Sequence, residues 1–310
     1  MDAVRDRFSD VVIGLDQLRE TTLLALVTES HIIAHAKPGT GKTLSFKTIF
    51  KLAGLKVSHF QGDAELRPSD FTGYKSVEYG TFVEGLGYAN GVLYDEINRS
   101  TGVFNNSLLT PLEERFILPK GMARQPLPRP YVVFATMNPH GTGRDLNPIP
   151  PALLNRFMMR YLLEDLAEEE FHRAIMQDAN RRLEELEPIT SAETIRTINE
   201  YVRSMADLYE DSVSRTPLSD YITRLALFSR DLALKDRFEG MDPVSTRAAR
   251  SLILALIGYG VLNGKSHVDA EDVYDHIFAC WNHRLNIEDV AEAREAISEM
   301  VERVPWIPRR

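Results

Sequence analysis

Cysteine is almost missing from this chain: Cys280 is the sole one in 310 residues. An internal disulfide is therefore impossible, and the composition fits a reducing compartment. Long apolar runs are missing too; LILALIGYGVL, at 252–262, falls short of the ~20 residues that span a bilayer. The first residues, MDAVRDRFSD, carry charge where a secretory leader needs an apolar stretch. These absences lead us to expect a cytoplasmic protein without a membrane span. Positive charge is in short supply, with a net charge of −9. Such a surface repels polyanions, so nucleic acid is a disfavoured partner unless a local basic patch exists. The histidines follow no metal-ligand spacing. His31 and His35 straddle a strand, and His276 and His283, seven apart near Cys280, read as the face of a helix. Internal repeats and low-complexity segments are absent as well.

What is present is an ordinary globular composition, 44% hydrophobic and 26% charged, in a length that suggests two domains. The first half alternates apolar strand-like runs with helical periods. HIIAHA (31–36), GVLYDE (91–96) and YVVFATMNP (131–139) read as strands, and GKTLSFKTIFKLAGL (41–55) reads as a helix. That rhythm predicts a parallel sheet flanked by helices, an α/β core. ERFILPKGMARQPLPRPY (114–131), with Lys120-Gly121 and its prolines, predicts a β-hairpin. From about residue 165 strand signals give way to amphipathic helices. The expected division is an α/β core over residues 1–205 and an α-helical C-terminal domain over 206–310.

The chemistry begins at HIIAHAKPGTGKTLSF (31–46). A strand, a glycine-rich turn and a helix starting at Lys42-Thr43 form the setting of a phosphate-binding loop. Lys37, Pro38, Gly39, Thr40, Gly41, Lys42, Thr43 and Leu44 would make the cradle. Its N–H groups and the helix N-terminus would stabilise a triphosphate. Lys42 would reach the β and γ phosphates and Thr43 would ligate Mg²⁺. The pattern G-x-x-x-x-G-K-[ST] departs at its first position, where Ala36 stands; a negative φ there suits alanine without strain. GVLYDEINR then puts Asp95 and Glu96 at the carboxyl end of a strand, where ligands sit in open α/β sheets. Asp95 would hold Mg²⁺, through water or the Thr43 hydroxyl, and Glu96 would polarise the attacking water. Asn138, ending the FATMNP strand, could orient the water or the γ phosphate. Arg156 follows a short helix begun by Pro150-Pro151. Arg247, in DPVSTRAARSL, falls in the first turn of a helix capped by Ser245 or Asp242, where positive charge opposes the dipole.

KPGTGKT, LYDEINR, ATMNP, LLNRF and STRAA occur in the order and spacing of AAA+ ATPases. The connecting text resembles the MoxR family, close to the magnesium-chelatase ATPase subunit. ELRPSDFTGY resembles the segment before that family's helix-2 insert, VEYGTFVEGLGYAN the insert's short hairpin, SLLTPLEERFI the helix before the pre-sensor hairpin, and LNGKSHVDAEDV a lid helix and turn. The resemblance covers roughly residues 10 to 280. It implies a P-loop ATPase with a helical lid, with Lys42 and Thr43 as Walker A, Asp95 and Glu96 as Walker B, and Asn138 as sensor 1. It further implies Arg156 as an arginine finger serving a neighbouring subunit and Arg247 as sensor 2. A hexameric ring, with a chaperone-like task on a protein client and a von Willebrand A domain partner, follows from the same likeness. Two positions depart from the family pattern: Ala36 for glycine, and Asn155 before the finger where many members have aspartate. Two rival readings stay open. One is an AAA+ nucleic-acid motor using Arg115, Lys120, Arg124 and Arg129; the other is a nucleotide-binding switch without turnover.

Overall fold

The structure, a computed structural model, describes residues 1–307 except 36, 38, 77, 79, 139–145, 163–166, 212–215, 239 and 288. The chain divides into two compact units, residues 1–157 with 161–197, and residues 158–160 with 198–310.

The first unit is built on a sheet. Among the described residues of the chain nine strands occur in order: β1 Ile32–His35, β2 Val57–Gln61, β3 Tyr74–Lys75, β4 Phe82–Val83, β5 Gly91–Asp95, β6 Phe116–Ile117, β7 Gln125–Pro126, β8 Val132–Met137 and β9 Met159–Leu162. Five form one sheet in the order β2-β5-β8-β1-β9, and the pairings β2–β5, β5–β8 and β8–β1 are parallel. β5 and β8 are apolar and buried along almost their whole length, as strands covered on both faces must be. The register sets Tyr94 beside Ala135, Gln61 beside Asp95 and His35 beside Met137. Parallel strands end on the same edge, so the residues following β1, β5 and β8 meet there.

The helix Lys42–Leu52 covers one face of this sheet. Phe50 stacks on Phe134 with ring centroids 4.5 Å apart, and Phe46 lies 5.2 Å from the same ring. Gly91 is what lets Phe50 in, because a Cβ there would come within 2.6 Å of its ring. Beside β2 and β5, Phe60, Phe71, Tyr94 and Phe104 form a second aromatic cluster, edge to face except for the tilted Phe60–Tyr94 pair. The hairpin expected over 114–131 is present as antiparallel β6 and β7, and β3 with β4 forms another.

A buried polar knot fastens the base of the β6–β7 hairpin. Arg129 pairs with the Glu29 carboxylate at 2.7 Å, and Arg115 donates to the Glu29 and Tyr131 carbonyls. Val133 N–H donates to His31 Nδ1 at 2.9 Å, which leaves the proton of a neutral ring to Nε2, 3.0 Å from the Leu112 carbonyl. Burial, and then the charge of Arg115, hold the His31 pKa well below its ordinary value.

The second unit is helical, with Pro217–Leu232, Thr246–Asn263, Ala270–Trp281 and Val290–Arg303 as its main helices. Trp281 is buried and donates its indole N–H to the Ala248 carbonyl at 3.0 Å, while Trp306 meets Tyr221 edge-on at 5.1 Å. Among the described residues no helix is long and apolar enough to cross a membrane.

Candidate active site

The turn after β1 needs glycine for its backbone. Gly39 and Gly41 take φ of +80° and +84°, a region that a side chain resists. A Cβ at Gly39 would touch nothing within 4 Å, so conformation and not crowding selects the residue. The helix starts at once, at Lys42. Lys42 is buried, and its Nζ donates to the Lys37 carbonyl at 2.7 Å and to Asn138 Oδ1 at 3.2 Å. Burial lowers its pKa, against the opposing pull of Asp95 and Glu96. Thr40 Oγ1 also donates to the Lys37 carbonyl, at 3.0 Å. Ala36 and Pro38 lie outside the described residues.

Asp95 ends β5 with both oxygens occupied. Oδ1 accepts from Thr43 Oγ1 at 2.8 Å and Thr136 Oγ1 at 3.1 Å, and Oδ2 meets His59 Nε2 at 2.7 Å. Burial alone would raise this carboxyl. The bonds from His59, Thr43 and Thr136 outweigh it and hold the pKa below its ordinary value.

Glu96 then adopts φ of +54°, uncommon outside glycine. The surroundings fix this backbone: its N–H donates to Thr136 Oγ1 at 3.0 Å, and a Cβ on Gly62 would lie 2.2 Å from the Glu96 carbonyl oxygen. The carboxylate is gripped three times. Arg99 Nη1 and Gln61 Nε2 donate to Oε2 at 2.8 and 2.6 Å, and Asn138 Nδ2 donates to Oε1 at 2.8 Å. The Arg99 bond is the leading cause of a lowered pKa; burial opposes it, and Gln61 and Asn138 add to it.

These groups surround a cleft of about 690 Å³ lined by residues 39–44, both carboxylates, Thr136 and Asn138. Another cleft, of about 460 Å³ between Pro68, Thr72, Pro111 and Leu118, has Lys120 as its charged group and lacks such chemistry. Among the described residues no cluster of three or more His, Cys, Asp or Glu could hold a metal ion unaided. The Thr43 hydroxyl and Asp95 carboxylate instead offer two hard oxygens, the donor set of a Mg²⁺ that arrives with phosphate oxygens and keeps water. The positive-φ glycines, the helix N-terminus and Lys42 fit the phosphates themselves. The residues present therefore fit Mg²⁺ with a nucleotide.

Comparison with known proteins agrees. The profile of the ATPase family associated with various cellular activities (AAA) matches residues 31–159. The chaperone MoxR1 of Mycobacterium tuberculosis is 28% identical over 303 residues, covering 94% of this chain and 77% of that protein. YeaC of Bacillus subtilis, uncharacterised, is 27% identical over 277 residues, 86% of this chain and 81% of YeaC. A crystal structure from Cytophaga hutchinsonii, assigned as that of an ATPase, superposes with a TM-score of 0.84 at 26% identity, over 99% of this chain and 94% of the other. The chain has the fold of the AAA+ ATPases and is similar to the MoxR-type members over most of its length.

The structure brings together Lys37, Gly39, Thr40, Gly41, Lys42, Thr43, Leu44, Asp95, Glu96 and Asn138. Arg156 stands elsewhere on the first unit. Its Nε donates to the Leu109 carbonyl at 2.9 Å and its Nη1 to the Ala152 carbonyl at 2.6 Å, with Glu113 3.6 Å away. Arg247 belongs to the second unit, in the first turn of the helix Thr246–Asn263, whose N-cap is Ser245: its Oγ accepts from Ala248 N–H. Sequence reasoning missed His59, Gln61, Arg99 and Thr136, which hold the two acids. It also missed Asn180 and Leu183, which line the cleft from the helix Ala179–Glu185. Lys51 Nζ bonds the Leu183 and Glu184 carbonyls at 2.8 and 2.7 Å, tying that helix to the end of Lys42–Leu52. Arg99 stood in view three residues after Glu96. Recognition of β2 would have put His59 and Gln61 on one face of a strand beside the acids.

Proposed function

We propose that this chain hydrolyses ATP to ADP and phosphate and turns the reaction into remodelling or activation of a protein client. The observation that carries the reading is the single bonded constellation of Lys42, Thr43, Asp95, Glu96 and Asn138 at one edge of the sheet. Residues 37–44, Pro38 included, cradle the phosphates. Lys42 exchanges its bonds to Lys37 and Asn138 for phosphate oxygens, a charge-assisted contact. Thr43 and Asp95 would hold Mg²⁺, which would supply neutralising charge to the phosphates. Glu96 accepts the proton of the attacking water, and Asn138, bonded to Glu96 and released by Lys42, keeps phosphate and water in line. Arg156 reaches the nucleotide of a neighbouring subunit in a hexameric ring, and Arg247 acts as sensor 2 from a lid formed by residues 206–310. The similarity to the chaperone MoxR1 supports a chaperone-like task; the proposal puts that task in the cytoplasm and gives it a von Willebrand A domain protein as partner.

The nucleic-acid motor drew on four basic residues of the 114–131 segment. Arg115 and Arg129 are engaged with Glu29 and the backbone around it, so this observation does not favour that reading. Release of phosphate from Mg-ATP, measured on the parent and on Lys42→Ala, tests the proposal. We expect turnover in the parent and loss of both nucleotide binding and turnover in the variant. A parent that binds nucleotide in every assembly state and never releases phosphate would be the non-hydrolysing switch.

A further inference from the structure

β2 contributes one donor to each acid of the site. Residues 59 and 61 point to the same face of the strand, as alternate strand residues do. Gln61 takes Oε2 of Glu96 at 2.6 Å, and His59 takes Oδ2 of Asp95 at 2.7 Å. Asp95 already uses Oδ1 to accept from Thr43 and Thr136. Rotation of the carboxylate about its last bond would break all three contacts, so His59 completes a three-point fixation from three different elements. Two threonines on a single oxygen leave the plane of the group free to turn about that oxygen; the third point, on the opposite oxygen, removes this freedom.

We infer that His59 is a positioning residue for the metal: its Nε2 fixes the Asp95 carboxylate in the orientation that presents Oδ1, with the Thr43 hydroxyl, to Mg²⁺. The inference rests on the nucleotide and Mg²⁺ reading of the site given above. Partners in the shell behind a metal ligand are worth about 10- to 100-fold in metal affinity where they have been removed. His59 keeps 39% of its side chain exposed. Its replacement therefore opens no buried cavity, and the fold should survive.

The test measures binding, not turnover. A fluorescent ADP analogue is titrated onto the parent, His59→Ala and His59→Gln, each in Mg²⁺ and again in EDTA, with direct titration of Mn²⁺ followed by its electron paramagnetic resonance as the second readout. In the parent, Mg²⁺ should tighten binding of the analogue. His59→Ala should lose about tenfold of that Mg²⁺-dependent gain and bind Mn²⁺ more weakly to the same degree, while its affinity in EDTA stays at the parental value. His59→Gln carries an amide N–H that reaches where Nε2 stood, and it should recover most of the loss. If His59→Ala keeps the full Mg²⁺ effect, or if the glutamine variant is as impaired as the alanine one, the positioning role is overturned. A drop in EDTA affinity equal to the drop in Mg²⁺ overturns it as well, because the damage then lies in the phosphate cradle. Failure of the underlying reading looks different: the parent itself would bind the analogue equally in Mg²⁺ and EDTA.

Discussion

At the scale of single residues, the loop and its partner acids were legible because phosphate chemistry allows few substitutes. A glycine-rich turn before Lys-Thr, and Asp-Glu closing an apolar strand, have few other uses in combination. What surrounds the acids was illegible, since Thr136, Arg99 and His59 act through contacts that no local pattern announces. Glu96 carries the first prediction. Glu96→Gln keeps the shape, and its one oxygen can still accept from Arg99 and Gln61, which share Oε2, but its amide nitrogen can neither accept from Asn138 nor take a proton from water. It should retain Mg-ATP affinity within about twofold and lose at least ~100-fold in turnover, about 2.7 kcal/mol, by phosphate release against equilibrium binding. Hydrolysis at the parental rate would remove Glu96 from that role. His31 carries the second. Its folded pKa lies below the unfolded value of about 6.5, so the unfolded state binds the proton more readily. The stability due to its neutral form is complete above pH ~6.5 and is lost as pH falls from there toward the folded pKa, at up to about 1.4 kcal/mol per pH unit. Urea midpoints between pH 7.5 and 5 should fall more steeply in the parent than in His31→Gln, which has no ring to titrate. Equal slopes would show that His31 does not set this acid sensitivity.

At the scale of elements, the buried strands announced themselves and the edge strand did not. β5 and β8 lie inside the sheet and read as unbroken apolar runs, whereas β2 has neighbours on one side only. Phe60 is its one buried residue, and KVSHFQ carries no run to notice. The two-residue strands of the hairpins are equally faint; β6–β7 was foreseen from its Lys-Gly and its prolines. The helix over the sheet gives the third prediction. Gly91→Ala would drive a methyl into the Phe50 ring, so helix and strand must part or the ring must leave its rotamer. We expect a loss of 1–3 kcal/mol, typical of an overpacked core, seen as a lower urea midpoint in far-ultraviolet circular dichroism. A midpoint unchanged within error would mean that Phe50 yields without cost.

At the scale of the whole molecule, the division between the units falls inside one continuous helix, Ala192–Asp211. No proline, glycine or change of period marks it, which is why sequence places such a boundary only roughly. The proposed ring is a property of the assembly, and the fourth prediction addresses it. Arg156 is tied to Leu109 and Ala152, away from the cleft of its own first unit, so it should act on another subunit's nucleotide. Arg156→Ala should keep affinity and lose at least ~100-fold in turnover. Mixing it with Lys42→Ala should restore part of the activity, since an intact arginine can then face an intact cradle. No recovery in mixed rings verified by native mass spectrometry would count against action in trans. The placement of the aromatic residues has an optical consequence. The chain has two tryptophans, Trp281 and Trp306, and both sit in the helical second unit. Indole emission is therefore a reporter for that unit, while circular dichroism sums over both. Because each unit has a core of its own, Gly91→Ala should displace the dichroism curve and leave the emission curve in place, so that a plain fluorimeter separates the melting of the helical unit from that of the sheet.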